Sequence, residues 1–150
     1  MQKFILLAVA IVAGYAYLGN PYTLIPDRLQ YSTLSERQND TDATLADAFS
    51  NRKRNLQVSG EGVVTKLLPD DNDGSRHQKF IIALRSGQTL LIAHNIDLAL
   101  RISSLKKGDA IQFSGQYEWN EKGGVVHWTH HDPNGSHVAG WLKHNGQIYQ

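Results

Sequence analysis

The sequence predicts a mainly β protein, built as a closed five-stranded barrel with a short helix between strands three and four. Two observations predict this fold. After residue 56 hydrophobicity alternates with period two in five segments, and one helical segment follows the third of them. Gly60 and Gly62 fall early in the first segment, where a barrel strand has to bend.

The first three strands follow one another closely. Strand one is predicted at residues 57–68, strand two at residues 77–84 and strand three at residues 88–93. A turn rich in Pro, Asp, Asn and Gly separates strands one and two. Ser86 and Gly87 close a tight turn, so strands two and three are expected to pair as a hairpin.

A short helix is predicted between His94 and Lys107. Its apolar residues are spaced i, i+4 and i+7, with basic residues outside the stripe: Leu98, Ile102 and Leu105. Strands four and five are predicted at residues 110–119 and 125–129, on either side of a Gly-Gly turn.

Three strands, a short helix and two further strands form the element order of the OB barrel. Beyond the barrel, residues 138–143 and 147–149 are expected to form a C-terminal hairpin, because Asn-Gly is the strongest short hairpin signal. A chain of 150 residues has room for one such core. The OB-like domain is therefore expected over residues 56–150.

The N-terminal residues 1–20 predict a membrane or signal helix. Lys3 precedes an unbroken run of apolar and glycine residues from Phe4 to Leu18. At 1.5 Å per residue this run covers about 23 Å of a ~30 Å hydrocarbon core, so a signal anchor and a cleaved signal peptide both stay open. Lys3 on the cytoplasmic side orients the rest of the chain outward. Under both interpretations the globular part lies outside the cytoplasmic membrane.

Residues 21–55 are expected to connect this segment to the barrel. Residues 21–39 contain two prolines and no sustained period, which is typical of a tether. An amphipathic helix should begin at Asp40 or Thr41, and the basic residues 52–54 should complement the dipole at its end.

Composition excludes several classes of function. The chain has no cysteine, so disulfides, thiolate zinc sites and cysteine nucleophiles are absent. Removing residues 1–20 takes away only Lys3, which leaves 14 basic and 14 acidic side chains. This balance argues against duplex nucleic acid as a partner, because neutralising phosphates requires clustered Lys and Arg.

The segment from Gly115 to Trp141 contains four of the seven histidines and all three tryptophans. Imidazole and carboxylate groups are the ligands that zinc-like divalent metals prefer. In a straight strand His127 and His131 lie ~13 Å apart, too far to bind one metal. A type I turn from Asp132 would fold the next histidine back. The predicted metal ligands are His130, His131, Asp132 and His137.

Other roles for the same residues stay open. His127 and His131 are the candidates for a general base. A ligand site could instead use the aromatic residues of this segment with an imidazole from the end of strand three: His94, Trp119, Trp128 and Trp141. In a third interpretation these residues only close one end of the barrel, with imidazoles bonded to the backbone and tryptophan in the core.

The segments GSRHQKF, LLIAHNIDLALRI, HWTHHDPNGSH and HNGQIY are similar to the core of a family of small exported gammaproteobacterial proteins. That family is catalogued as a domain of unknown function. The resemblance covers about residues 57–150. It implies an exported OB-like domain and brings no established activity. With it, we expect a bacterial envelope protein that is anchored in the inner membrane through residues 4–18 with a periplasmic domain, or secreted to the periplasm.

Three functions follow as hypotheses. The first is an envelope-anchored OB-like binding domain whose histidine-rich end binds a divalent metal and a small-molecule or polymeric ligand. The second is a metal-dependent hydrolase acting on phosphodiesters, similar to a nuclease. The third is a metal-free module that binds a protein through the C-terminal hairpin. The sequence leaves open whether the protein is an enzyme.

Overall fold

The structure is a computed structural model that describes residues 27–150. The membrane or signal helix expected at residues 1–20, with the membrane contact through residues 4–18, lies outside the described residues. Within the described part, no helix combines the length and the hydropathy that a membrane span needs.

The described residues form one helix and seven strands. In chain order these are α1 (Asp27–Ser50), β1 (Leu56–Leu67), β2 (His77–Ala83), β3 (Thr89–Asn95), β4 (Ala110–Glu118), β5 (Val125–His127), β6 (Trp141–His144) and β7 (Gln147–Tyr149). The chain divides into two units, residues 1–35 and residues 36–150. Of the first unit only the start of α1 is described. The second contains the rest of α1 and all the strands.

Strands β1 to β5 close into a barrel in the order β1-β2-β3-β5-β4, and β4 pairs again with β1. The pair β3 and β5 is parallel, and the other barrel pairs are antiparallel. This is a five-stranded Greek-key barrel of the OB type. The predicted five-stranded barrel is confirmed.

Strand β1 closes the barrel, because it pairs with β4 as well as with β2. Its first part pairs with β4, its last part pairs with β2, and Val63 lies in both ladders. The glycines predicted to allow the bend are packed closely. A Cβ atom on Gly60 would lie 2.8 Å from the Thr41 side chain of α1, and one on Gly62 would lie 2.9 Å from the Ala83 carbonyl oxygen. These positions therefore require glycine for packing as well as for curvature.

Helix α1 completes the hydrophobic core. Leu45 and Ala48 have no exposed surface and belong to the same cluster as the inward-facing residues of the strands. The Asp42 carboxylate accepts a hydrogen bond from the Ser86 N–H at 2.7 Å, which fixes the helix to the β2–β3 turn. The buried side chains of Leu45 and Ala48 therefore make α1 part of the core.

The boundaries of α1 correct the sequence prediction. The helix begins at Asp27 and not at Asp40 or Thr41. Residues 27–39 contain no Gly or Pro and include many good helix formers, which is compatible with a helix over the segment predicted to be a tether. It ends at Ser50. Arg52 adopts φ 51° and the Lys53 N–H donates to the Ala48 carbonyl at 2.8 Å, which is a Schellman ending. The basic residues therefore follow the helix.

Between β3 and β4, where a short helix was predicted, the chain forms a series of turns. Ile102 and Leu105 are buried as expected, but Leu98 is exposed. The side chain of Gln78 accepts from the Ile102 N–H and donates to the Ile102 carbonyl, at 2.9 and 3.0 Å. Because a distant side chain satisfies these backbone groups, the segment does not need a helical ladder.

The C-terminal hairpin is confirmed and extends the barrel sheet. Strand β6 pairs with β4, and β7 pairs with β6. Asn145 and Gly146 have φ of 49° and 82°, as a type I′ turn requires.

Strand β5 is shorter than expected, because Trp128 adopts φ 53° directly after His127 and ends the pairing.

Candidate functional site

His94 has a structural role. Its ring is fully buried, with Nδ1 2.8 Å from Thr129 Oγ1 and Nε2 3.2 Å from the Leu100 carbonyl oxygen. Since a carbonyl only accepts, Nε2 carries the proton and Nδ1 accepts from the Thr129 hydroxyl. Burial lowers the pKa of His94 to about 4, so the ring is neutral at pH 7. It joins β3 to the segment after β5 and to the turns after β3, and it is not available to a ligand.

Trp128 lies at the centre of the predicted histidine cluster. Its ring stacks on His137, with centroids 3.8 Å apart and 20° between the planes. The rings of His130 and His127 lie 5.3 and 6.3 Å from it at tilted angles. The three imidazoles therefore surround an indole and do not converge on one point.

Asp132 organises the loop that carries these histidines. Its carboxylate accepts hydrogen bonds from the N–H groups of Asn134, Ser136 and His137 at 3.0, 2.6 and 2.8 Å. These backbone bonds, led by that of Asn134, lower the pKa of the carboxyl group. The predicted turn is present, since the Gly135 N–H donates to the Asp132 carbonyl. The turn does bring His137 back, as predicted, but onto Trp128.

The four predicted metal ligands do not form a ligand set in the structure. The Nδ1 of buried His130 lies 2.7 Å from the carbonyl oxygen of His131, whose own side chain is exposed. Asp132 uses both carboxylate oxygens for backbone N–H groups. Among residues 27–150, no group of three or more His, Asp or Glu side chains is arranged to hold a metal ion.

His127, a candidate general base, is half-buried. Burial lowers its pKa, so its ring is neutral at pH 7. Its Nε2 atom is shut off from solvent and forms no hydrogen bond with any described residue. A general base must lie within hydrogen-bond reach of the proton that it removes. In this conformation Nε2 has no path to a substrate.

The remaining tryptophans have separate roles. Trp119 packs against α1 and the turn that follows it. The ring of Phe49 stacks on the indole with centroids 6.4 Å apart, and the Arg52 guanidinium lies 5.1 Å from the indole centroid. Trp119 therefore attaches the helix to β4. Trp141 begins β6 opposite Ser114 and is partly exposed on the outside of the barrel.

A groove that the sequence did not predict lies on β2 and β3. Its volume is about 260 Å³, and it is lined by Leu68, Ile81, Thr89, Leu90, Leu91, Asn120, Lys122 and Gly124. OB barrels commonly bind ligands on strands two and three, between the loops that follow strands one and four. The groove has this position. Two residues in the sequence indicated this groove. Burial alternates along β2 and β3, and Ile81 and Leu91 are apolar although they stand at outward-facing positions.

The wall of the groove is the loop between β4 and β5, and it is held rigidly. The Asn120 side chain accepts from the N–H groups of Lys122 and Gly124 at 2.9 and 3.1 Å. The Gly123 carbonyl accepts from Tyr117 and Gln88. A Cβ atom on Gly124 would collide with the ring of Tyr117. The groove is therefore largely pre-formed.

Comparison with known proteins adds the family. Residues 28–150 match the model of a family described as "Protein of unknown function (DUF3465)". The chain belongs to this family. The DUF3465 match extends the resemblance, expected over residues 57–150, back into α1, so the family model covers both α1 and the barrel strands. No curated protein matches the chain.

Proposed function

We propose that this chain is a ligand-binding OB-like domain of the bacterial cell envelope, exported or anchored through residues 1–20. It binds a small amphiphilic acid in the groove between β2, β3 and the β4–β5 loop. The observation that carries this proposal is the pre-formed groove at the position where OB barrels bind ligands.

The lining of the groove selects the ligand chemistry. Ile81 and Leu91 are paired across β2 and β3, so their side chains lie side by side on the outer surface. They favour an apolar group. Lys122 lies on the rim, and its ammonium forms no ion pair with another described residue. It favours an acidic group at the end of the ligand.

Calorimetric titration of the full chain with 4-phenylbutyrate tests the proposal. Binding is expected in the wild type and is expected to be lost in Leu91→Glu, which places a carboxylate in the groove. Lys122→Gln should weaken binding and remove its salt dependence. Leu100→Glu is the control, because Leu100 is 74% exposed and does not line the groove. No heat of binding in the wild type, or equal loss in the control, would reject the proposal.

Metal binding by the histidine-rich segment stays a prediction. The bonds of Asp132 and the burial of His127 Nε2 favour a binding domain over a metal-dependent hydrolase. Elemental analysis of the full chain, purified without a His tag, tests the metal. A stoichiometric transition metal that disappears in His130→Ala and His137→Ala would confirm metal binding, and a metal-free protein that ignores added zinc would reject it. The hairpin as a protein-binding surface also stays a prediction, with exposed Ile148 on β7 as its apolar contact.

A further inference from the structure

A second surface, on β1, β4 and β6, combines polar side chains with a tryptophan. Strand pairing places six residues there in two rows. The first row is Ser59, Ser114 and Trp141, and the second is Glu61, Gln112 and Lys143. We name these two rows the polar platform. It lies on different strands from the groove.

The pairing register fixes the composition of each row. Ser114 is opposite Ser59 on β1 and opposite Trp141 on β6, and directly opposite residues in antiparallel strands have Cβ atoms about 5 Å apart on one face. The intervening residues Phe113 and Leu142 are fully buried in the core. The platform residues therefore lie on the outer face of the sheet, where Ser114 is itself covered by its neighbours.

Hydrogen bonds hold the polar side chains of the platform in place. Gln112 Nε2 donates to Glu61 Oε2 at 2.9 Å, and Ser59 Oγ donates to Ser114 Oγ at 3.0 Å. The Gln112 side-chain oxygen and the second carboxylate oxygen of Glu61 stay available as acceptors. Such fixed donors and acceptors reduce the entropy lost when a ligand binds.

A cavity of about 390 Å³ opens beside the second row. Its polar lining consists of Glu61, Gln112, Lys143 and Asn145. Gln112 lies between the two charged residues in the row, and the Lys143 ammonium forms no ion pair with any other described residue. The cavity therefore offers one carboxylate, one ammonium and two carboxamides, with no net charge.

We propose that the polar platform binds an uncharged oligosaccharide, with one sugar ring in the cavity and a neighbouring ring against Trp141. Sugar hydroxyl groups both donate and accept, and carboxylate, carboxamide and ammonium groups together complement them. The apolar C–H face of a sugar ring packs on an indole ring. The charge balance disfavours a nucleic acid, whose phosphates would meet Glu61 and a single lysine.

Calorimetric titration of the full chain with maltotetraose, cellotetraose and tetra-N-acetylchitotetraose tests this inference. At least one tetrasaccharide should bind the wild type. Trp141→Ala should weaken that binding about tenfold, and Trp141→Tyr should restore most of it, because an aromatic face is retained. Gln112→Ala in the cavity should weaken it to a similar extent. Leu100→Ala, which changes an exposed apolar residue outside the platform, is the control and should bind like the wild type.

Three results would overturn the inference. The first is no binding of any tetrasaccharide at about 10 mM. The second is binding that neither Trp141→Ala nor Gln112→Ala weakens. The third is binding of a twelve-residue oligothymidylate in place of the sugars. If circular dichroism shows that Trp141→Ala does not fold, the effect of Gln112→Ala on tetrasaccharide binding tests the inference alone. Leu91→Glu should leave sugar binding unchanged, which separates this surface from the groove.

Discussion

The imidazole of His137 stacks on the indole of Trp128, with ring centroids 3.8 Å apart. His137 follows a turn that is held by the carboxylate of Asp132, and Trp128 follows the last strand of the barrel. The stack therefore attaches the histidine-rich loop to the barrel wall. His127, His130 and His137 therefore lie around the Trp128 ring and not around a common metal position.

Removing this stack should loosen the loop and leave the barrel intact. His137→Ala is expected to speed amide hydrogen exchange across residues 131–139, while the free energy of unfolding changes by less than about 1 kcal/mol. His131→Ala is the matched control, because His131 is exposed in the same loop. Equal exchange rates in the two variants would show that the stack does not hold the loop.

Acid should release the same loop through Asp132. Its pKa is lowered in the folded state, so its contribution to loop order is present above the ordinary aspartate pKa near 4 and is lost as the pH falls through the lowered value. The amide resonances of Ser136 and His137 should shift together as Asp132 is protonated. Asp132→Ala should give the acid-form positions at neutral pH. Resonances that do not change with acid would contradict this role.

His94 should make the stability of the fold depend on pH between about 6.5 and 4. Its folded pKa of about 4 lies below the unfolded value, so the unfolded state binds more protons in this range. The free energy of unfolding should fall by up to about 3 kcal/mol as the pH is lowered from 6.5 to 4. Urea unfolding at several pH values measures it. His94→Gln should flatten the dependence, whereas His131→Ala should retain it.

Gly140 should be intolerant of any side chain. A Cβ atom there would lie 1.9 Å from the Trp128 carbonyl oxygen and 2.5 Å from that of Ser114. Both are backbone atoms, so Gly140→Ala is expected to cost about 3 kcal/mol or more, measured by urea unfolding. Gly74→Ala is the control, since Gly74 has φ 73° and nothing within 4 Å. It should cost about 1 kcal/mol. Equal losses of unfolding free energy in the two variants would show that the backbone after β5 shifts to accommodate a side chain at residue 140.

The barrel was predictable because its signals are local. Period-two alternation marks the strands, and Asn145-Gly146 marks the hairpin turn. The turns after β3 were missed because their backbone groups are bonded by Gln78, from another strand. Likewise, the first half of α1, residues 27–39, has no regular spacing of apolar residues in the sequence, so the start of α1 was predicted too late in the chain.

The candidate sites were harder to predict because they depend on long-range pairing. The histidines from residue 127 to residue 137 are close in sequence, but the φ of Trp128 and the bonds of Asp132 turn them in different directions. The groove and the polar platform arise from the registers that bring Ile81 beside Leu91 and Ser114 beside Trp141. A single sequence does not specify register between strands that are distant in the chain.

The most direct test of the proposed function is a titration of the full chain with 4-phenylbutyrate, observed through the methyl resonances of isoleucine and leucine. The groove predicts that the methyl groups of Ile81 and Leu91 shift together and saturate at one ligand concentration, while those of Leu100 stay fixed. Saturating shifts at Leu100 with none at Ile81 and Leu91, or no shifts at all, would contradict the proposal that the groove is a ligand site.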